Sequence, residues 1–172
     1  MTDDQLIQRI CDTALLHGQF TLRSGKTSHY YLDKYRFETH PDILEALAVR
    51  FAGFIDGGVD RIAGAVLGGI PLVTATSLAT GKPTVLIRAE KKDYGTAQQI
   101  EGELHPGDRV LLIEDVATTG GQVLEAAQML TELGARVVAV VAVIDREEGA
   151  KANLQEAGYR FESLFTKSDL GV

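Results

Sequence analysis

A single cysteine among 172 residues excludes an internal disulfide. Cys11 stands among apolar residues of a predicted helix, the setting of a buried thiol rather than a reactive one. Long apolar runs are missing too, and none approaches the length of a membrane span. Met1-Thr2-Asp3-Asp4 lacks the basic and apolar stretches of a signal peptide, so a soluble, cytoplasmic protein in a reducing compartment is expected. Positive charge is also scarce. Lys and Arg number 17 against 24 Asp and Glu, for a formal net charge of -7. Broad binding to nucleic acid or anionic membrane is thereby excluded, because both require clustered cations. Each basic group is then expected to have a local task. His17, His29, His40 and His105 have no metal-ligand spacing, and no Ser-His-Asp arrangement or Cys cluster occurs, so zinc and hydrolytic chemistry find little support.

What is present is enough for one core. Hydrophobic residues make up 45% of the chain, and the length suits a single domain over 1–172 without linker or repeat. The most informative stretch is Val110 to Gly121, Val-Leu-Leu-Ile-Glu-Asp-Val-Ala-Thr-Thr-Gly-Gly. Val110 to Ile113 carry no period-2 alternation, as expected of a strand covered on both faces in a parallel sheet. Glu114 and Asp115 then mark where the strand leaves the core. Ala117, Thr118, Thr119, Gly120 and Gly121 form a small-residue loop, and Gln122 to Leu133 carries apolar residues at helical spacing. The loop therefore opens a helix, whose unpaired N–H groups and dipole attract phosphate. Carboxylates repel phosphate but accept from vicinal hydroxyls, so the segment reads as a site for a phosphorylated sugar.

Around it the chain alternates helices with apolar strands, which implies a mostly parallel sheet flanked by helices. A first helix is expected from Asp3 or Asp4 as cap to about Leu16, with Gly18 as its stop. Gln19 to Phe37 reads as extended, a small β-rich appendage within 18–37, before a core that begins at about residue 41. There follow a helix Pro41 to Ile55, a strand Arg61 to Val66, and a helix that Pro71 starts and Gly81 stops. Further strands are expected at Thr84 to Ile87, Val137 to Ile144 and near Phe161 to Phe165, with a helix around Glu147 to Ala157. Ala89 to Gln99 is a polar connection where a short turn would suffice, hence either a functional loop or a hairpin tip.

The order of two acids, two threonines and two glycines in Val110 to Gly121 closely resembles the phosphoribosyl pyrophosphate (PRPP) motif of the type I phosphoribosyltransferases. The resemblance implies that Glu114 and Asp115 hold the ribose hydroxyls while Ala117 to Gly121 cradle the 5′-phosphate. Arg88, Glu90, Lys92, Asp93, Tyr94 and Gly95 resemble the catalytic loop of the orotate-using members. Ala89 departs from it where a second basic residue is usual, and Lys91 stands next door. Gly64 to Pro71 falls where the family has its pyrophosphate loop. Some members carry a lysine there; this chain has Gly68, followed by Gly69, so backbone donors must serve. In Asp145-Arg146-Glu147, Arg146 matches an arginine that recognises orotate, a role suited to a rigid fork of donors. Phe20 to Gly25 with Tyr30 and Tyr31 resembles the base-pocket segment, and Arg23 stands where lysine is common.

What the resemblance implies is an α/β type I phosphoribosyltransferase fold, a mostly parallel sheet flanked by helices with a small N-terminal hood. It implies transfer of a phosphoribosyl group from PRPP to orotate in pyrimidine synthesis. Lys92, Arg88 and Asp115 would be catalytic. PRPP would be bound by Glu114, Asp115, Ala117, Thr118, Thr119, Gly120, Gly121, Lys91, Tyr94, Gly68 and Gly69. Orotate would be bound by Arg146, Thr118, Arg23, Tyr30 and Tyr31. Mg²⁺ would be carried mainly by PRPP or pyrophosphate, with no direct protein ligand assigned. A homodimer that shares the loop 88–99 across subunits is also implied. Two alternatives stay open: a phosphoribosyltransferase for another base, and a regulator that keeps the fold as a ligand sensor.

Overall fold

The computed structural model describes residues 1–21, 25, 27–89 and 99–172. Arg23 and the loop residues Glu90, Lys91, Lys92, Asp93, Tyr94 and Gly95 therefore lie outside the described residues. The elements are α1 (Asp3–Ala14), β1 (Leu15–Thr21), β2 (Thr27–Leu32), α2 (Lys34–Phe37), α3 (Pro41–Ala52), β3 (Arg61–Ala65), α4 (Gly69–Thr80) and β4 (Thr84–Ile87). They continue with β5 (Ile100–Glu101), β6 (Arg109–Ala117), α5 (Gly121–Glu132), β7 (Arg136–Asp145), α6 (Ala150–Glu156) and β8 (Phe161–Thr166). A six-stranded sheet runs in the order β5-β4-β3-β6-β7-β8, parallel except for β5, which is antiparallel to β4. β1 and β2 make a separate antiparallel ribbon.

Strand β6 sits at the centre, and its apolar run is explained by two cores. Leu111 and Ile113 pack toward α1, α3 and α4 beside Leu6, Ile10, Leu47 and Leu72. Val110 and Leu112 pack the other way, against Val123, Leu130 and Leu154 of α5 and α6. Both faces are dry, so alternation has no reason to appear. Each such side chain contributes roughly 1.5–3 kcal/mol by burial.

Several boundaries differ from the sequence expectation. α1 is capped by Thr2 in a reciprocal capping box with Gln5, so neither Asp3 nor Asp4 is the cap. It ends at Ala14, because Leu15 onward pairs with β2, and Gly18 lies inside that strand. Residues 34–37 form the short helix α2 rather than extended chain. α4 begins at Gly69, two residues ahead of Pro71, which fits in a first turn whose N–H groups have no helical partner. α6 begins at Ala150, because Glu147 has φ 58 and donates its N–H to Asp145 Oδ1 at 2.8 Å, making a turn where a helix was expected. The short strand β5, antiparallel to β4, has no counterpart among the strands expected from the sequence. Cys11 is half-buried, with its thiol 3.8 Å from the Leu170 carbonyl; burial, then Asp12, pushes that thiol up.

Candidate active site

The carboxyl ends of β3, β4 and β6 open on one cavity, the edge at which parallel α/β sheets bind ligands. Lys34, Tyr35, Val66, Leu67, Gly68, Arg88, Glu114 and Asp115 are among its walls. A neighbouring cavity, lined by Ala117, Thr118, Thr119, Gly120 and Gly121, shares Glu114, Gln122 and Glu125 with the first. The expected sugar and phosphate subsites are therefore adjacent.

The loop Ala117 to Gly121 is built by turning its carbonyls toward the protein. The Ala117 carbonyl accepts from Arg146 N at 2.8 Å, Thr118 from Ala150 N at 3.1 Å, and Thr119 from Asn153 Nδ2 at 2.9 Å. Among the described residues the N–H groups of Thr118, Thr119 and Gly120 donate to no protein acceptor, and they stand beside the first turn of α5 with its own unpaired donors. Such an array suits an anion. Gly120 permits it with φ 79, and a Cβ there would press on Ala150 at 3.2 Å.

The acid pair is not at the end of the strand. β6 continues to Ala117 because Glu114, Val116 and Ala117 keep pairing with Ala142, Ile144 and Asp145 of β7. Alternation then separates the two acids: Asp115 is 1% exposed, whereas Glu114 is partly exposed. Burial, then the Asp115 carboxylate beside it, pushes Glu114 up.

Two charged residues missed in the sequence complete this wall. Lys34 Nζ is 2.6 Å from Asp115 Oδ2. Burial pulls the Lys34 ammonium down, but Asp115 outweighs it and holds it above the ordinary value. Glu38 is 1% exposed, and neither of its carboxyl oxygens has a hydrogen-bond partner among the described residues. Burial, then Asp115, pushes Glu38 up to about 8. A proton on Glu38 would supply the missing bond to Asp115, as in other close carboxyl pairs. The only available sequence signal was the i, i+4 spacing of Lys34 and Glu38 on one helical face around Phe37.

Gly68 packs directly on these acids. A Cβ there would lie 1.7 Å from Asp115 Oδ2 and 2.9 Å from Glu38 Oε1. The peptide bond Val66–Leu67, just before it, is cis. Arg88 and Gln99 close the stem of the polar loop through Arg88 N to Gln99 O at 2.8 Å, so the loop connects the hairpin β4-β5. The Arg88 guanidinium approaches Glu101 at 3.4 Å.

Other expected residues stand apart. Arg146 is tied by its backbone to Ala117, and its guanidinium bonds Glu148 at 3.1 Å instead of lining either cavity. Tyr30 and Tyr31 are neighbours on β2 and face opposite ways. Tyr31 meets the Phe20 ring at 5.7 Å, and neither tyrosine lines the two cavities.

This fold and site define a phosphoribosyl transferase domain, and the model of that family matches residues 39–158. An orotate phosphoribosyltransferase of Thermococcus gammatolerans is 48% identical over 97% of this chain and 90% of its own length. Orotate phosphoribosyltransferase of Mycobacterium tuberculosis H37Rv, solved with Fe(III) dicitrate, superposes with TM-score 0.89 at 31% identity, covering 99% of each chain. The same enzyme solved with 5-phospho-alpha-D-ribosyl 1-diphosphate superposes with TM-score 0.81 at 29% identity, again over 99% of each chain. The chain belongs to the orotate phosphoribosyltransferase family.

Proposed function

We propose that this protein transfers the 5-phosphoribosyl group of PRPP to orotate, giving orotidine 5′-monophosphate and pyrophosphate in pyrimidine synthesis. The observation that carries this reading is the junction of the anion-ready loop Thr118 to Gly120 with the Glu114–Asp115 wall in adjoining cavities. In it the 5′-phosphate rests on Ala117, Thr118, Thr119, Gly120 and Gly121, and the ribose hydroxyls bond to Glu114 and Asp115. The diphosphate faces Gly68 and Gly69, with Arg88, Lys91, Lys92 and Tyr94 from the loop.

As the bond from the anomeric carbon to diphosphate breaks, positive charge grows on the ribose and negative charge on the leaving group. Asp115 stabilises the first by its negative potential, while Arg88 and Lys92 stabilise the second. Closure of the loop would exclude water during this step. Mg²⁺ would add charge neutralisation on the diphosphate oxygens. The ion would be carried by substrate and water rather than by a dedicated protein cage. Orotate would meet Arg146, Thr118, Arg23 and the hood tyrosines Tyr30 and Tyr31. Because the two rings face opposite ways, one of them at most walls the base directly. For Arg146 the guanidinium must exchange Glu148 for the orotate carboxylate.

The same reading includes a homodimer sharing the loop 88–99 between subunits, and a cytoplasmic location. No described helix is long and apolar enough to cross a membrane. The test is an incubation with PRPP, Mg²⁺ and a panel of orotate, uracil, adenine and hypoxanthine. Consumption of orotate with release of pyrophosphate is expected. Consumption of another base in its place, or of none, would overturn the assignment.

A further inference from the structure

The cavity beside Asp115 has two basic side chains among its described walls, Lys34 and Arg88. Arg88 leans toward Glu101 on the hairpin stem, which leaves Lys34 as the cation set against the acid wall. Its partner is buried at 1% exposure, whereas the Lys34 side chain is 33% exposed. The acid thus belongs to the wall, and the lysine faces the cavity. Gly68 explains why the cation comes from α2. Asp115 and Glu38 fill the space that a side chain at position 68 would enter, since its Cβ would meet Asp115 Oδ2 at 1.7 Å. A cation carried by that loop and the present packing of the acids exclude one another.

We propose that Lys34 is a PRPP-binding residue that leaves Asp115 for the diphosphate oxygens when the ribose hydroxyls take its place on that carboxylate. The idea rests on the phosphoribosyl reading of the site given above. The exchange conserves hydrogen bonds. Asp115 loses an ammonium donor and gains hydroxyl donors, while Lys34 gains phosphate acceptors and stays protonated. Glu38 makes the release tolerable. Its carboxyl is buried against Asp115 and held toward the protonated form, so it can donate to Asp115 after Lys34 has moved. In this way the donor's two halves are sensed together, sugar through Asp115 and diphosphate through Lys34.

Initial rates of the full chain with Lys34→Met and Lys34→Arg, varying PRPP and orotate separately, test this. Loss of one charge-assisted bond to phosphate should raise KM for PRPP about ten- to a hundredfold in Lys34→Met. KM for orotate should stay within about twofold, and Lys34→Arg should recover most of the loss because it keeps the charge. A purely structural ion pair predicts a lower melting temperature with KM for PRPP unmoved, or an equal rise in both KM values; either result overturns the proposal. If the wild-type chain consumes no PRPP with any base, the transferase reading fails by itself. Lys34 is then judged by calorimetry with inorganic diphosphate, where equal affinity of wild type and Lys34→Met overturns it and weaker binding by the variant supports it.

Discussion

Replacing Glu38 by glutamine should stabilise the protein, and by more as the pH rises. Glu38 is buried at 1% exposure against Asp115 with no bonded partner on either oxygen, and its acidity is pushed from 4.5 up to about 8. Folded chains therefore keep a proton that unfolded chains release between these values, and stability falls as pH climbs through that window. Each tenfold change in acidity is worth about 1.4 kcal/mol, so the full cost is about 3 kcal/mol at pH 7 and about 5 kcal/mol beyond pH 8. Glu114 is also raised, by burial first and then by Asp115, which a change at Glu38 leaves in place, so a single substitution should recover part, about 2 kcal/mol at pH 8. Glutamine has nearly the same shape and brings an N–H donor for Asp115. For a chain of this size the gain corresponds to a melting temperature higher by about 4–8 °C. Melting curves of wild type and Glu38→Gln at pH 5, 7 and 8 measure it. The difference should be near zero at pH 5 and largest at pH 8. A gain that is equal at all three values, or a less stable variant at pH 8, would refute the reasoning, since either would mean that no proton is retained at this acid.

Two other perturbations address Arg146 and the loop Ala117 to Gly121. Arg146→Ala should raise KM for orotate about tenfold or more while KM for PRPP holds steady; steady-state kinetics with each substrate varied would expose an equal loss in both, which removes it as the base selector. Gly120→Ala forces φ 79 on a residue with a Cβ and crowds Ala150 at 3.2 Å, so urea denaturation should find it about 1–3 kcal/mol less stable, and an unchanged midpoint would show that the loop adapts freely.

How much of this was legible in the sequence depended on how far apart the interacting residues lie along the chain. The apolar run Val110 to Ile113 announced a strand buried on both faces, and the small residues after it announced an anion loop, because both signals are local. Where β6 ends was not local. Two adjacent acids look like an exit from the core, yet pairing with β7 carries the strand on to Ala117. Alternation then buries Asp115, where it must be paired or hydrogen-bonded. Its cation, Lys34, comes from 81 positions earlier, on a four-residue helix too short to show a period. Glu38 looks like a surface residue until Gly68 and Asp115 close over it. The same long-range packing that hid these two residues sets them against one buried acid, Asp115. The loop with its unpaired N–H groups was thus readable from one continuous segment, whereas the charge balance opposite it exists only where α2, the Gly68 loop and β6 meet.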